Sequence, residues 1–207
     1  MKNVMICAAT TLVVAGGGLT LASGAGAHSD RELTARVVDT SGETVGRVRL
    51  SVDDDDDRTE VKVAVELPPS MAGFHGFHIH GIGSCLPKTG PSAFTGAGPH
   101  LGEDAADPSH RHRNHEGDMP VLLVNADGHA NARFTTDRLD VDDLVKDDGS
   151  AVIIHAAPDN YANIPSRYTV PNPVLVYPGT TTDTMTLTTG DSGGRIGCGV
   201  IKADHRR

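Results

Sequence analysis

The sequence predicts an all-β protein built as an antiparallel sandwich or barrel. Its 207 residues include no Trp, 24 Gly and 12 Pro, a composition that favours a loop-rich β protein over a helical one. No long segment shows a helical spacing of apolar residues, and several short segments alternate apolar and polar residues instead. The length indicates one domain.

Eight strands follow from this alternation and from the turn signals between them. Val61, Val63 and Val65 share one face of the third strand, and the acidic run at 53–57 before it is interpreted as a solvated turn. Asp127-Gly128 is a hairpin signal. The predicted strands are Glu32–Asp39, Val45–Val52, Thr59–Leu67, Phe74–His80, Val121–Asn125, Ala130–Thr135, Ala151–Ala156 and Arg195–Ile201.

Two long segments lack a strand pattern, 81–119 and 157 to about 182. Loops of this length without secondary structure are uncommon in compact domains and usually carry function. The sequence therefore places candidate functional residues in these two loops and at the strand ends beside them.

The first 27 residues have the features of an export signal. A basic start is followed by an apolar run and by the small residues Ala25-Gly26-Ala27, which suit a cleavage site. The expected mature domain therefore spans 28–207, and the protein is expected in the periplasm, the cell envelope or the extracellular space. Cys7 leaves with the signal, so the two remaining cysteines, Cys85 and Cys198, are expected to form one disulfide.

The formal net charge is −9 at pH 7. An acidic surface argues against nucleic acid and against an anionic membrane as partners, since both require a basic patch. The expected partner is a small molecule, with no membrane contact beyond the signal. A monomer and a homodimer both remain open.

A histidine pair on a predicted strand is the first chemical signal. Residues two apart on a strand point to the same face, so His78 and His80 project together while Phe77 and Ile79 face the other way. One such histidine is more often structural, but two imidazoles on one face can share a metal ion. Further histidines follow in the first long loop at 100, 110, 112 and 115, near Asp118, a donor set that suits zinc or copper.

The ordered motifs GFHIH…C, GPH, HEGDMP, VIIHAAPDN and RIGCGVI resemble those of the copper/zinc superoxide dismutases of the bacterial exported type. The resemblance runs from about Glu32 to Lys202. It implies an eight-stranded antiparallel Greek-key barrel or sandwich, immunoglobulin-like, with two long functional loops.

The resemblance also implies the site residues and one copper and one zinc ion per subunit. His100 would bridge the two metals, Asp159 would orient a ligand of each, and Arg195 would lie over the copper, with Cys85–Cys198 as the family disulfide. The implied copper ligands are His78, His80, His100 and His155. The implied zinc ligands are His100, His112, His115 and Asp118, with His110 as the alternative to His112. His75 matches a structural histidine.

The implied activity is conversion of superoxide to oxygen and hydrogen peroxide. This reaction requires a metal that cycles by one electron, which copper does and zinc does not. Arg195 suits a small anion, and His100 is the expected proton carrier.

Four other interpretations remain open from the sequence. The same histidines would serve an exported copper-binding or copper-buffering protein without turnover, although such a protein would not require Arg195. Cleavage after Ala27 would leave His28 at the N-terminus, where its amine and ring chelate copper, as in polysaccharide monooxygenases. The remaining two are a copper-only enzyme and a purely structural sandwich.

Overall fold

The structure is a computed structural model that describes residues 31–53, 58–104, 112, 114–162 and 184–204. The expected export signal, His28, His110 and most of the acidic run lie outside these residues. No helix among the described residues is long and apolar enough to cross a membrane.

The described residues form nine strands, all paired antiparallel. Seven strands make one curled sheet in the order β5-β8-β9-β1-β2-β3-β7, and β4 and β6 form a separate pair. The strands are β1 Arg31–Asp39, β2 Thr44–Asp53, β3 Arg58–Glu66, β4 Gly73–His75, β5 Phe77–His80, β6 Leu122–Val124, β7 His129–Thr136, β8 Ala151–His155 and β9 Arg195–Ala203.

The first strand pairs with the last as well as with the second, and β3 pairs with β7, so strands far apart in the chain lie side by side, as in a Greek key. The predicted all-β Greek-key class is confirmed. The alternation of apolar and polar residues predicted these strands because every second side chain faces the core. Inward residues of β1, β2 and β3 such as Val37, Leu50 and Val63 are almost fully buried. Each such side chain contributes roughly 1.5–3 kcal/mol on burial.

The predicted strand Phe74–His80 is wrong as a single element. It divides at Gly76 into β4 and β5, which belong to different sheets. Gly76 donates its N–H to the Ala157 carbonyl at 2.8 Å and accepts from the His155 N–H at 2.9 Å. A Cβ on Gly76 would lie 2.6 Å from the Ser192 Cβ, so the close approach requires glycine.

The predicted turn at Asp127-Gly128 forms, with Gly128 at φ +89° and the Asn125 N–H donating to the His129 carbonyl at 2.9 Å. The two strands it joins lie in different sheets, because β6 pairs with β4 whereas β7 pairs with β3. Two short helices were not predicted, α1 Val141–Val145 and α2 Thr184–Thr189. Five or six residues are too few for a helical apolar period to be visible.

A second, smaller apolar cluster lies on the outer face of β8 and β9. Ile153 and Cys198 pack there against Phe94 and Ala97 of the loop that follows β5. Cys198 is bonded to Cys85 with their Cα atoms 5.7 Å apart, as expected from the sequence. The loop that carries His100 is therefore held against the outside of the barrel by both an apolar cluster and a covalent bond.

We expect the double substitution Cys85→Ser and Cys198→Ser to lower the free energy of unfolding by about 4 kcal/mol, because the bond closes a loop with a sequence separation of 113 residues. Urea unfolding of the metal-free protein measures this loss. A loss below about 1 kcal/mol would show that the apolar cluster alone holds the loop.

Candidate metal centre

Six buried imidazoles converge outside the barrel, over β5 and β8. His78 and His80 project from β5 on the face opposite to Phe77 and Ile79, as the alternation predicts, and His155 ends β8. The six are His78, His80, His100, His112, His115 and His155, each no more than 3 % exposed.

Backbone hydrogen bonds at the free edge of β5 bring the loop residues to this face. The Ile79 N–H donates to the Gly117 carbonyl and the Ile79 carbonyl accepts from the Leu101 N–H, both at 2.9 Å. Isolated bridges pair His78 with Asp118 and His80 with His100. The edge strand thus places residues from two distant parts of the loop beside its own histidines.

One nitrogen of each of four histidines points into a common space. The ligand atoms of His78, His80, His100 and His155 lie within 4.8 Å of one another, and we name this set the four-histidine cluster. Each ring leaves one buried nitrogen without a hydrogen-bond partner. These atoms are His78 Nδ1, His80 Nε2, His100 Nε2 and His155 Nε2.

The other nitrogen of three of these rings is fixed by a hydrogen bond. His78 Nε2 donates to Asp159 Oδ2 at 2.7 Å, His80 Nδ1 to the Gly98 carbonyl at 2.8 Å, and His155 Nδ1 to the Gly193 carbonyl at 3.1 Å. These bonds set the tautomer, so the lone pair of each ring faces the cluster. Four buried lone pairs directed at one point are costly without an occupant.

His100 Nδ1 faces a second set of ligand atoms. It lies 2.9 Å from Asp118 Oδ1 and 3.4 Å from His115 Nδ1. Asp118 Oδ1 is also 3.1 Å from His112 Nδ1 and 3.4 Å from His115 Nδ1. We name His100, His112, His115 and Asp118 the aspartate cluster.

These separations match a tetrahedral metal site. Four ligands at about 2.0–2.1 Å from a zinc ion lie roughly 3.3 Å from one another, close to the distances found here. His78 also lies near His100, His112 and Asp118. Its single unpartnered nitrogen belongs to the four-histidine cluster, so His115 is the better fourth member of the aspartate cluster.

Asp159 connects the two clusters from outside. Its Oδ2 accepts from His78 Nε2 at 2.7 Å and its Oδ1 from His112 Nε2 at 2.8 Å. A Cβ on Gly190, which has φ +59°, would overlap Asp159 Oδ1 and lie 2.5 Å from His112 Nε2. The His112 N–H donates to the Leu187 carbonyl of α2 at 2.9 Å, so α2 and Gly190 hold this bridge in place.

Burial favours the neutral form of His80, His100 and His155. It lowers the pKa of His100 to about 4 and, helped by His78, that of His155 to about 3. The pKa of His80 is lowered well below its usual value by burial and by the nearby His100 and Arg195. Neutral imidazoles present the lone pairs that a metal ion needs.

One member of the aspartate cluster, His112, has a pKa shifted in the opposite direction. Burial opposes the charge on His112, but hydrogen bonds to Asp118 and Asp159 outweigh it and raise the pKa of His112 to about 9. Burial would raise the pKa of Asp118 and of Asp159, yet their histidine partners hold both pKa values well below the usual range. Because both carboxylates stay charged, the aspartate cluster favours binding of a divalent cation.

Arg195 reaches across to the loop beside the four-histidine cluster. Its guanidinium donates to the Phe94 carbonyl at 2.7 Å and to the Gly98 carbonyl at 2.6 Å. The Gly98 carbonyl thus accepts hydrogen bonds from both Arg195 and His80. Gly98 has φ +73°, and a Cβ there would lie 2.8 Å from Ile82 Cδ1.

His75 lies behind the site and has no nitrogen free for a metal. Its Nδ1 is 2.7 Å from the His155 carbonyl and its Nε2 is 2.7 Å from the Met71 carbonyl. The functional groups that the sequence did not indicate are backbone carbonyls, those of Phe94, Gly98, Leu187 and Gly193. A backbone carbonyl has no residue signature, so only the fold reveals it.

A family model described as copper/zinc superoxide dismutase (SODC) matches residues 44–201. The chain belongs to the copper/zinc superoxide dismutase family. It is 33 % identical over 199 residues to the "Superoxide dismutase [Cu-Zn]" of Escherichia coli K12. The matched region covers 89 % of this chain and 94 % of the E. coli protein. The resemblance inferred from the ordered histidine motifs is confirmed.

Two further likenesses support this result. The "Superoxide dismutase [Cu-Zn]" of Mycobacterium tuberculosis is 43 % identical over 136 residues, 62 % of this chain and 53 % of that one, so the chain spans about half the length of this relative. The structure of the Cu/Zn superoxide dismutase from Brucella abortus has a TM-score of 0.59 at 24 % identity, covering 83 % of this chain and 99 % of that one. The latter likeness shows the fold.

Copper and zinc are the metals of this family, and the two clusters fit them. The four unpartnered imidazole nitrogens suit copper, which binds imidazole strongly. The set of three imidazoles and one carboxylate, with near-tetrahedral separations, suits zinc.

We expect the charge on His112 to make zinc binding at the aspartate cluster dependent on pH. A metal binds the neutral imidazole, so a zinc ion held by the aspartate cluster would have to displace the His112 proton below about pH 9. We expect zinc affinity to rise roughly tenfold per pH unit from about pH 7 to about pH 9, as one proton is released per ion. Competition with a chromophoric chelator measures it.

Copper binding to the metal-free protein provides the internal comparison. His155 and His100 have pKa values of about 3 and about 4, so no proton must leave them in this pH range. Copper affinity is therefore expected to change much less than zinc affinity. Equal slopes for the two metals would contradict the charge difference between the clusters.

Proposed function

We propose that the protein is a superoxide dismutase that converts superoxide to oxygen and hydrogen peroxide. The observation that carries this proposal is the four-histidine cluster, whose free nitrogens converge beside a fixed guanidinium. We assign copper to His78, His80, His100 and His155, and zinc to His100, His112, His115 and Asp118. The geometry of His112 favours it over His110, which lies outside the described residues.

When bound, copper supplies the one-electron redox chemistry that dismutation requires and that zinc lacks. Arg195 attracts and orients the superoxide anion, because a guanidinium stays charged and donates several hydrogen bonds. Its two bonds to the loop carbonyls of Phe94 and Gly98 hold it in one position, which preorganises the anion site.

His100 is the proposed proton carrier, through Nε2. This atom faces the four-histidine cluster, whereas Nδ1 is held beside Asp118. The burial that lowers the pKa of His100 to about 4 makes a proton on Nε2 readily released to a reduced oxygen species. Asp159 orients both His78 and His112 and thereby fixes the directions of their lone pairs.

We also propose that residues 1–27 are an export signal and that the mature domain begins at His28 in the periplasm, the cell envelope or the extracellular space. The disulfide between Cys85 and Cys198 supports an oxidising compartment. The intact mass of the exported protein is expected to correspond to a chain starting at His28. A mass that includes the first 27 residues would contradict this proposal.

We expect His78→Ala and His155→Ala to abolish superoxide turnover while the β-rich circular dichroism spectrum is kept, because each removes one ligand nitrogen from the cluster. His129→Ala is the matched control, since His129 is exposed at the start of β7. Full turnover in either cluster variant would refute the copper assignment. Bound copper without turnover in the unaltered protein would favour the copper-buffering alternative.

Arg195→Ala is expected to lower kcat/KM by about tenfold or more and to weaken its dependence on ionic strength, while metal content is unchanged. Arg195→Lys is the matched comparison. The lysine keeps the positive charge, so the dependence of kcat/KM on ionic strength should remain. A single ammonium group cannot donate to both the Phe94 and the Gly98 carbonyl in the geometry of a guanidinium, so kcat/KM should be intermediate. Stopped-flow decay of superoxide at several salt concentrations separates these effects.

A further inference from the structure

Six exposed cations lie side by side on the outer face of the large sheet. They occupy outward-facing strand positions, as Arg36 does between the fully buried Ala35 and Val37. We name this set the basic band. Its members are Arg36, Arg47, Arg49, Lys62, Arg133 and Lys202.

The strand register aligns four of these cations in one row. Thr34 of β1 pairs with Lys202 on one side and with Arg49 on the other. Arg49 pairs with Lys62, and Lys62 pairs with Arg133. With neighbouring strands about 4.8 Å apart, this row crosses five strands and spans roughly 19 Å.

The other two cations form a second row beside the first. Arg36 of β1 lies directly opposite Arg47 of β2. Along this row the next positions are Ala64 and Asn131, so the band contains no acidic residue. The band is two rows wide, and four of its six members are arginines.

This arrangement is costly for the isolated fold. Like charges directly opposite on neighbouring strands destabilise a sheet, and three such pairs occur here. Arg36, Arg47 and Lys202 form no ion pair with another residue in the part of the chain that the structure describes. Because the whole chain has a net charge of −9, these cations are a local concentration of positive charge and not a general property of the surface.

Acidic side chains border the band, Glu32 and Glu60 on one side and Glu66, two residues beyond Ala64 on β3, on the other. Arg49 Nε lies 3.6 Å from Glu32 Oε1, and Glu60 forms ion pairs with both Lys62 and Arg133. These carboxylates restrict the positive charge to a narrow strip. An extended anionic surface laid on this face would meet Glu32 and Glu60 as well as the cations.

We propose that the basic band binds a linear polyanion, a polymer of phosphate or carboxylate groups. A single chain can follow the rows of cations and avoid the bordering carboxylates, which a flat anionic membrane cannot do. Arginine forks match phosphate and carboxylate oxygens in two-bond geometry. Thr34, Ala64 and Asn131 complete the band and offer no aromatic ring on which nucleic-acid bases would stack.

The band is separate from the metal centre in the fold. The metal-binding histidines come from β5, β8 and the loops, whereas the band is formed by β9, β1, β2, β3 and β7. Binding would therefore hold the protein in an anionic matrix while leaving the metal centre open. The proposal does not depend on the proposed dismutase activity.

The test measures binding of the purified protein to fluorescently labelled long-chain inorganic polyphosphate and to poly-glutamate at several salt concentrations. The variant Arg36→Gln with Arg47→Gln removes two cations that form no ion pair with a described residue. We expect about tenfold weaker binding and a shallower dependence of log affinity on log salt, by roughly one to two units. Stronger binding of one polymer shows whether the band prefers phosphate or carboxylate groups.

Lys88→Gln with Lys146→Gln is the matched control, because it removes two exposed cations that lie outside the sheet and its band. The control should bind like the unaltered protein. Equal weakening in both variants would overturn the proposal, since general charge and not the band would then be responsible. No binding to either polymer at low salt, or binding only to vesicles of anionic phospholipid, would also overturn it.

Discussion

The ring of His100 lies between two sets of ligand atoms, and the geometry of the metal centre depends on this shared position. One nitrogen faces three other imidazoles and the other faces Asp118 and His115. Because an imidazole is rigid, its two nitrogens hold the clusters at a fixed separation. Each other ligand must then be placed by its own strand or loop at the right distance from this ring.

The barrel supplies this precision from its outer face. β5 is an edge strand, and its free backbone groups bind the loop on both sides of Ile79 instead of another strand. The unpaired edge that would otherwise invite association is used to position His100 and Asp118 beside His78. The disulfide and the small cluster around Phe94 hold the same loop from the far side.

The pKa of His112 shifts in the opposite direction from the pKa values of His80, His100 and His155, because its hydrogen-bond partners differ. No carboxylate is a member of the four-histidine cluster, and burial outweighs the contact of His100 with Asp118, so the pKa values of His80, His100 and His155 are lowered. Two buried carboxylates reverse this effect on His112. Asp159 contacts both clusters, so it couples the orientation of a proposed copper ligand to that of a proposed zinc ligand.

Local patterns in the sequence determined the alternating strands, the common face of His78 and His80, and the donor types at the site, because these depend on the period of a strand and on side-chain chemistry. Tertiary structure alone decided the division of Phe74–His80 between two sheets, the use of the Gly98 and Gly193 carbonyls to orient the rings, and the alignment of distant cations into the basic band. The sequence shows that the chain is acidic as a whole, whereas only the strand register shows that the cations of the basic band lie together on one face. Register and backbone partners arise from contacts between residues far apart in the chain, which no local period records.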